Sequence, residues 1–386
     1  MRTRAVFADA RFPFAAERAP LRALLRTASN IEGFDLTDND IWTVKAALEW
    51  TEGYLARKGD ENPRLSAEWL LGEACGMRRI ELYTCFERPL SMDERDVLRD
   101  YVARRGKGEP LQYITGEVAF RHIAVKVRPG VLIPRPETEV LVSEALALLP
   151  GADRPRALDS RMTEAETQEL LAAMAAEGED GEASSLEPGG ATPAGVAADG
   201  ASPADEAPAP ARPSPLFVAD LCTGSGCIAC SIAYEHPRAR VIATDIAPEA
   251  VALARENAEA LEVADRVSVV QCDLGEGVPA SALGRLDLVV SNPPYVPMHV
   301  LADVPREVAA FEPALALDGG ADGLDVFRRL LEFCARALKP DGGFAFELHE
   351  TSLDDAARLA AGAGFKDVRS VTDLAGRPRV LTGRRA

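Results

Sequence analysis

The carboxyl-terminal part of the chain alternates short apolar segments with helical patterns, and this alternation restricts the fold more than any other feature. Strand patterns lie at 216–221, 240–245, 267–271, 286–291, 343–348, 366–371 and 379–383, and helix patterns lie at 226–235, 247–260, 322–338 and 351–363. Strands separated by helices pair in parallel, because each helix carries the chain back to the edge where the previous strand began. The last two strand patterns have no helix between them. We therefore predict an α/β fold with a mostly parallel, Rossmann-like sheet, helices on both faces and an antiparallel edge.

Residues 37–106 follow a helical pattern instead and predict a small N-terminal helical domain. Thr37 and Asp38 are candidate caps for its first helix, because both side chains accept hydrogen bonds from the free amides of a first turn. Ser91 and Glu94 have the spacing of a capping box and predict the start of a later helix.

Changes in composition mark the domain boundaries. Residues 107–137 mix strand-like runs, such as 123–127, with glycine and proline, which predicts a hairpin or linker, and a helix pattern follows at 138–149. We assign the α/β domain to 138–386. It is interrupted at 152–214, which holds 13 acidic and 4 basic residues, a net charge of −9, and few large apolar side chains. Such a segment buries too little surface to offset its ordering entropy, so we expect a disordered insertion with at most a short helix at Met162–Ala176.

Charge, hydropathy and cysteine content limit the partners and the cellular compartment that we expect for this protein. The net charge of −18 disfavours a protein that neutralises a phosphate backbone, so no direct nucleic-acid partner is expected. No apolar run approaches the roughly 20 residues that span a bilayer, so we expect no membrane association. Seven cysteines without a secretory signal predict reduced thiols in the cytoplasm, and we expect a monomer. Residues 1–36 contain six arginines, but Asp9 and Glu17 favour a variable leader over a transit peptide.

A glycine turn follows the first strand of the α/β region and opens a helix. Gly224 and Gly226 let the backbone approach a ligand closely and present N–H groups to it. Asp245 ends the next strand, 25 residues after Asp220, and is suited to accept hydrogen bonds from ribose hydroxyls. A dinucleotide dehydrogenase would be a fair alternative, but the glycine spacing is not G-x-G-x-x-G. An acidic residue four positions before Gly224 is similar to the methyltransferase variant of this loop.

Two further features near this loop are less specific. Asp273 follows the third strand, where an adenine contact is expected, although a simple turn aspartate fits equally well. Cys222, Cys227 and Cys230 could suggest a metal, but they lie in a glycine loop and the helix after it, and no nearby histidine completes a ligand set. We predict core packing for these cysteines and no metal.

The most informative segment is Ser291-Asn-Pro-Pro-Tyr295, which follows the strand at 286–291. Methyl transfer from a sulfonium requires a nitrogen lone pair aimed at the methyl carbon, and an amide nitrogen is a poor nucleophile. Asn292 supplies a side-chain carbonyl and Pro293 a backbone carbonyl, and two such acceptors can hold both N–H groups of an NH₂ substrate. Tyr295 can stack on the planar group. Alternatively, Asn-Pro-Pro is an ordinary turn and Tyr295 a core residue, but open α/β sheets bind ligands at strand ends of this kind.

Together these motifs resemble the release factor glutamine methyltransferases, which methylate the glutamine side-chain amide in the Gly-Gly-Gln loop of peptide chain release factors. The resemblance covers about residues 64–150 and 216–384. It is carried by Gly108–Gly116 with Phe120, Leu132–Glu139, Asp220–Gly226, Asn292–Tyr295, Phe311–Leu317 and Asp373–Arg377.

The resemblance implies a class I methyltransferase fold, S-adenosylmethionine as cofactor and N5-methylation of the release factor glutamine. It implies that the helical N-terminal domain docks the release factor. The cofactor contacts that we expect are Cys222, Thr223, Gly224, Ser225, Gly226, Asp245, Asp273 and Asn292. The substrate contacts that we expect are Asn292, Pro293, Pro294, Tyr295, Phe120 and Thr138, with Asn292, Pro293 and Tyr295 as the catalytic set.

Three alternatives stay open. A glutamine methyltransferase acting on a ribosomal protein shares the Asn-Pro-Pro-Tyr chemistry, but Pro134–Glu139 resembles the release factor branch. A DNA or RNA adenine N6-methyltransferase faces the same lone-pair problem and would need to flip a base and bind phosphates. The acidic balance disfavours it, since Arg104–Lys107 is the only compact basic cluster. A cofactor-binding scaffold without catalysis is disfavoured by the intact loop and Asn292.

The composition of the insertion generates the first testable prediction. Deleting residues 155–212 should leave the fold and the methyl transfer activity largely unchanged, because this segment contributes little apolar surface to a core. Circular dichroism and a methylation assay on the shortened chain measure both quantities. Loss of folded protein would show instead that the segment is structural.

Overall fold

The computed structural model describes residues 42–151, 214–301 and 306–386. The predictions for the leader at 1–36, for the insertion (apart from its last residue) and for the helix at Met162–Ala176 lie outside the described residues. The chain divides into two compact units, which we describe one at a time. The first unit contains the described residues up to Pro134 together with those of Val300–Ala316, and the second contains those of Arg135–His299 and Leu317–Ala386.

The first unit is mainly helical, and its helices pack around the larger of two apolar clusters in this unit. Leu48 and Leu55 of its first helix are buried there against Leu70, Leu98 and Val102 from later helices. Their spacing along each helix places them on one face, as the helical pattern requires. The elements of this unit are α1 (Val44–Arg57), α2 (Pro63–Cys75), α3 (Arg79–Thr84), α4 (Met92–Arg105), α5 (Leu111–Thr115), β1 (Glu117–Phe120), β2 (Ile123–Lys126) and, later in the chain, α9 (Arg306–Phe311).

Helix caps in the first unit confirm one prediction and correct a predicted helix start. The Ser91 hydroxyl accepts the Glu94 N–H at 3.2 Å and the Glu94 carboxylate accepts the Ser91 N–H at 2.8 Å, so the predicted capping box is present. The first helix, however, begins at Val44, and its cap is Thr43, which accepts the Ala46 N–H. The predicted caps Thr37 and Asp38 lie outside the described residues, and within those residues the helix that contains Val44 and Leu48 begins after Thr43. Residues before the helix carry apolar side chains that extend its pattern, and pattern alone does not locate the first helical turn.

The second unit contains a seven-stranded sheet in the order β5-β4-β3-β6-β7-β9-β8. Strands β3 to β7 run parallel to one another, and β9 pairs antiparallel with both β7 and β8. This confirms the predicted mostly parallel sheet with an antiparallel edge. Its strands are β3 (Leu216–Leu221), β4 (Ala239–Asp245), β5 (Val267–Gln271), β6 (Leu286–Ser291), β7 (Leu338–Glu347), β8 (Phe365–Thr372) and β9 (Pro378–Arg385).

The helices of the second unit agree with the sequence patterns to within a few residues. They are α6 (Thr138–Leu148), α7 (Cys227–Glu235), α8 (Pro248–Ala260), α10 (Asp325–Ala337) and α11 (Leu353–Gly362). The strand β7 begins at Leu338, before the predicted start at 343. Asp341 has a positive φ of 61° and the β6–β7 register shifts here, so the apolar alternation starts only after this irregularity.

The strand order places a crossover point at the carboxyl ends of β3 and β6. The chain leaves β3 toward β4 on one side, whereas β6 lies on the other side of β3. Two loops that diverge in this way leave a crevice at the carboxyl edge of the sheet, where ligands bind in open α/β folds. Within the described residues, no helix is both long and apolar enough to cross a membrane.

The capping box provides a stability test. Ser91→Ala should lower the free energy of unfolding by about 1 kcal/mol, because the Glu94 N–H loses its acceptor. Asn62→Ala is the matched control, since Asn62 caps α2 without a side-chain hydrogen bond. Urea denaturation of both variants measures the difference, and equal losses would contradict a role for the Ser91 hydroxyl.

Candidate active site

The loop between β3 and α7 is folded around the buried carboxylate of Asp220. The Oδ2 atom of Asp220 accepts hydrogen bonds from the Thr223 hydroxyl at 2.6 Å and from the Ala229 N–H at 3.1 Å. Burial raises the pKa of the Asp220 carboxyl to about 7, since water is excluded from it. Its Oδ1 atom is buried, and no group among the described residues forms a hydrogen bond with it. An unpaired buried oxygen beside a glycine loop offers an acceptor for a ligand group.

Left-handed backbone conformations give the loop its tight path. Cys222, Gly224 and Gly226 have φ values of 61°, 57° and 79°. At Gly226 a side chain would also collide, because an added Cβ would lie 3.0 Å from the Cβ of Ala254 on α8. Glycine is therefore favoured at Gly226 both by the left-handed backbone and by the close approach of α8.

Asp245 at the end of β4 is held against this loop. Its Oδ2 atom accepts the Gly224 N–H at 2.9 Å, and its Oδ1 atom accepts the Ala247 N–H at 3.0 Å. Burial raises the pKa of Asp245, and the backbone N–H groups oppose that shift. The structure thus brings the predicted ribose acceptor and the glycine loop together. Each carboxylate oxygen has a second lone pair for a further donor.

Asp273 lies in the turn after β5, next to the end of β4. The Cys272 N–H donates to the Asp245 carbonyl at 3.0 Å, and the Thr244 hydroxyl donates to the Leu274 carbonyl at 2.7 Å. The Asp273 carboxylate itself pairs with Arg329 at 2.7 Å. The turn that contains Asp273 therefore lies beside the end of β4 and the glycine loop. An adenine contact by Asp273 stays a prediction.

The parallel register of β3 and β6 brings the Asn-Pro-Pro-Tyr segment to the same edge. Leu221 pairs with Ser291, and the Ser291 hydroxyl donates to the Leu221 carbonyl at 2.6 Å. The next residues on the two strands are Cys222 and Asn292, so the loop and the segment start side by side. The Asn292 side-chain amide donates from Nδ2 to the hydroxyl of Thr138, the first residue of α6, at 3.2 Å. Thr138, predicted near the pocket, is thus brought to Asn292.

Tyr295 is held at both ends of its side chain. Its ring packs against the apolar cluster of the sheet, and its hydroxyl donates to Glu347 at 2.9 Å. Burial, together with the neighbouring Glu347 carboxylate, raises the pKa of Tyr295 well above its ordinary value. The hydroxyl therefore stays protonated and donates. Stacking of the ring on a substrate stays a prediction.

Two glycines support the backbone of Tyr295. A Cβ added to Gly319 would lie 2.7 Å from the Tyr295 backbone, and one added to Gly323 would lie 2.5 Å from the Tyr295 carbonyl oxygen. Val296 is tied to the same region, because its N–H donates to the Leu317 carbonyl and its carbonyl accepts the Gly319 N–H. The segment after Asn292 is thus fixed by a second, glycine-rich loop.

The other predicted site residues are less constrained. Pro293 and Pro294 connect Asn292 to Tyr295 and offer carbonyl oxygens but no N–H. Phe120 is buried in β1 of the first unit, and its position near the pocket stays a prediction. Cys222, Cys227 and Cys230 are free thiols. In the part of the chain that the structure describes, no group of three or more His, Cys, Asp or Glu residues could hold a metal ion.

Sequence analysis missed Glu347 and the glycines at Gly319 and Gly323. Glu347 ends β7 after the apolar run of Phe344 to Phe346 and is 1% exposed. The sequence did offer a signal for Glu347, namely a carboxylate at the end of an apolar strand pattern. Such a strand end lies at the same edge of the sheet as the Asn-Pro-Pro-Tyr segment. The glycine-rich cluster Gly319-Gly-Ala-Asp-Gly323 was the corresponding signal for the two glycines.

The strand order, the antiparallel β9 and the paired loops at β3 and β6 define a class I methyltransferase fold. Family models agree, since residues 46–116 match the PrmC N-terminal domain and residues 212–309 match the methyltransferase small domain. A solved methyltransferase from Pyrococcus furiosus aligns with a TM-score of 0.35 and 21% identity, over 45% of this chain and 76% of that chain.

Curated relatives identify the family more closely. A release factor glutamine methyltransferase of Geobacter sulfurreducens is 36% identical over 89% of this chain and 98% of its own length. One of Rhodopirellula baltica is 34% identical over 91% of this chain and 99% of its own length. The chain therefore belongs to the release factor glutamine methyltransferase family.

The packing of the glycine loop generates a stability prediction. Gly226→Ala should lower the free energy of unfolding by more than the roughly 1–2 kcal/mol expected for a left-handed residue, because the new methyl also meets Ala254. Gly376→Ala is the matched control, with the same φ of 79° and no atom within 4 Å of the added Cβ. Chemical denaturation compares the two, and equal losses would show that α8 yields to the methyl group.

Proposed function

We propose that this protein transfers a methyl group from S-adenosylmethionine to the side-chain amide nitrogen of the glutamine in the Gly-Gly-Gln loop of peptide chain release factors. The product is N5-methylglutamine. The observation that carries the proposal is the position of Asn292. This residue follows the end of β6 and lies directly beside the glycine loop at the end of β3. Its side-chain amide is held by a hydrogen bond to Thr138 on α6.

The residues around the glycine loop fit the proposed cofactor. The buried, unpaired Oδ1 of Asp220 offers an acceptor to its amino-acid part, and Asp245 offers lone pairs to ribose hydroxyls. We place the cofactor against Cys222–Gly226, Asp245 and Asp273. When bound, it supplies an electrophilic methyl group on a sulfonium, so no metal is needed for activation.

The chain's own task is to hold and aim the substrate nitrogen. The Asn292 side-chain carbonyl and the Pro293 backbone carbonyl accept the two N–H groups, which favours positive charge on the nitrogen as it reacts. A bound cofactor would supply the methyl group to the nitrogen lone pair held in this way, and the extra N–H proton of the product would pass to water. Tyr295 covers the planar amide, with Phe120 and Thr138 as further substrate contacts.

The activity for which these relatives are named supports a release factor as the substrate. We infer that the first unit, whose α1 to α5 region matches the PrmC N-terminal domain, docks the release factor. Two of the three cations in the basic cluster Arg104–Lys107 form ion pairs within the first unit. Arg104 pairs with Glu109 at 2.6 Å, and Arg105 pairs with Asp60 at 2.7 Å and with Glu307 at 2.9 Å. Ion pairs of this kind leave little positive charge for a nucleic acid. The seven free thiols support a cytoplasmic location.

Asn292→Ala should reduce methyl transfer by at least about 100-fold, because the substrate NH₂ loses one of its two acceptors. Cofactor affinity should change little. The assay is mass spectrometry of a release factor incubated with enzyme and cofactor, with cofactor binding measured by calorimetry. Asp265→Ala, which changes an exposed side chain of the second unit away from the carboxyl ends of the strands, is the control.

Three outcomes would count against the proposal. Retained turnover in Asn292→Ala would remove Asn292 from the mechanism. A release factor that gains no methyl on its loop glutamine with the unaltered enzyme would refute the substrate. A methylated oligonucleotide in the same experiment would favour an adenine methyltransferase instead.

A further inference from the structure

The buried carboxylate of Glu347 links three elements around the Asn-Pro-Pro-Tyr segment. Its Oε2 atom accepts the hydroxyl proton of Thr138 on α6 at 2.7 Å, and its Oε1 atom accepts the hydroxyl proton of Tyr295 at 2.9 Å. The side chain lies at the end of β7 and is 1% exposed. The two bonds therefore form away from water, where their directions are well defined.

The hydrogen bonds of Thr138 determine which way the Asn292 amide faces. A threonine hydroxyl has one proton, and here the proton is donated to Glu347. The hydroxyl oxygen therefore has only lone pairs left for Asn292, 3.2 Å away, so the Asn292 group facing it must be the Nδ2 donor. The other end of the amide, the Oδ1 acceptor, is then turned away from Thr138.

We propose that Glu347 is a positioning residue that sets the polarity of Asn292. By accepting the Thr138 proton, the carboxylate makes Asn292 present a carbonyl oxygen, and not an NH₂ group, to the substrate. It also fixes the Tyr295 hydroxyl. This inference rests on the proposed function, since an outward acceptor is what a substrate NH₂ group requires.

A structural role alone does not explain a carboxylate at this position. The residues just before Glu347 in β7, Phe344 to Phe346, are buried and apolar, and burying a carboxylate beside them costs several kcal/mol unless it is well paired. A glutamine of the same size could bond both hydroxyls but would offer one donor and one acceptor. An ionised carboxylate has only acceptors, so it forces both Thr138 and Tyr295 to donate.

The same reasoning gives a pH dependence. The charged and titratable groups that face Glu347 are Arg379 on β9, Glu137 at the start of α6, Cys227 on α7 and Tyr295. Burial raises the pKa of Glu347 above its ordinary value, although Arg379 opposes this shift. A protonated Glu347 can donate to Thr138, which frees the Thr138 proton for Asn292 and reverses the amide. Activity should therefore fall as the pH drops through the pKa of Glu347.

The test is single-turnover methylation of a release factor by variants of the full chain. Glu347→Gln should reduce the rate by about 100-fold, the size expected when one preorganised contact to the reacting group is lost. Cofactor affinity and release factor KM should change little. Thr138→Val should lose a similar amount, and Thr138→Ser, which restores the hydroxyl, should recover most of it. Glu350→Gln, an exposed glutamate three residues along, is the matched control.

Two further measurements separate positioning from packing. The double variant Glu347→Gln with Thr138→Val should be no slower than the slower single variant, because both act on the same amide. The decline in rate at low pH should be present in the wild-type protein and absent in Glu347→Gln. Thermal unfolding shows whether each variant is folded. If Glu347→Gln does not fold, the comparison of Thr138→Val with Thr138→Ser tests the inference instead.

Wild-type turnover in a folded Glu347→Gln protein would overturn the inference, as would additive losses in the double variant. Either result leaves the proposed function intact. If the wild-type enzyme fails to methylate the release factor, the proposed function itself fails, and the inference fails with it.

Discussion

The parallel pairing of β3 with β6 is the constraint on which the candidate site depends. Leu221 and Ser291 are register partners, and the Ser291 hydroxyl bonds the Leu221 carbonyl. Beyond this pair the strands separate into the glycine loop and the Asn-Pro-Pro-Tyr segment. Because both strands are buried along their whole length, a slip in register would expose apolar side chains and separate the two motifs. The core thus holds the two halves of the site in place.

Buried polar groups supply the second level of organisation. Asp220 folds the glycine loop, Asp245 clamps Gly224, and Glu347 ties Thr138 to Tyr295. In each case a carboxylate at the carboxyl edge of the sheet accepts hydrogen bonds from N–H or O–H groups of neighbouring loops and helices. Water is largely excluded from these carboxylates, so their hydrogen bonds are directional and costly to break. Such bonds can hold loops rigidly enough to aim a weak nucleophile.

Much of the fold could be predicted because periodicity and chain order constrain it. The seven strands of the sheet follow their apolar patterns, and the missing helix between the last two strands correctly indicated antiparallel pairing. The predicted element boundaries were wrong where a local irregularity interrupts the apolar pattern. The early start of β7 is masked by the turn at Asp341, and the true cap at Thr43 is one polar residue among several that could begin a helix.

The sequence by itself determined the class of fold and the two motifs at the sheet edge, since both depend on local patterns of residues. It also indicated Thr138 as a site residue through family resemblance. Only the tertiary structure decided that Glu347 joins Thr138 and Tyr295, because these residues are far apart in the chain and belong to three different elements. Which end of the Asn292 amide faces outward was likewise decided by a network of hydrogen bonds, and such a network has no signature in the order of the residues.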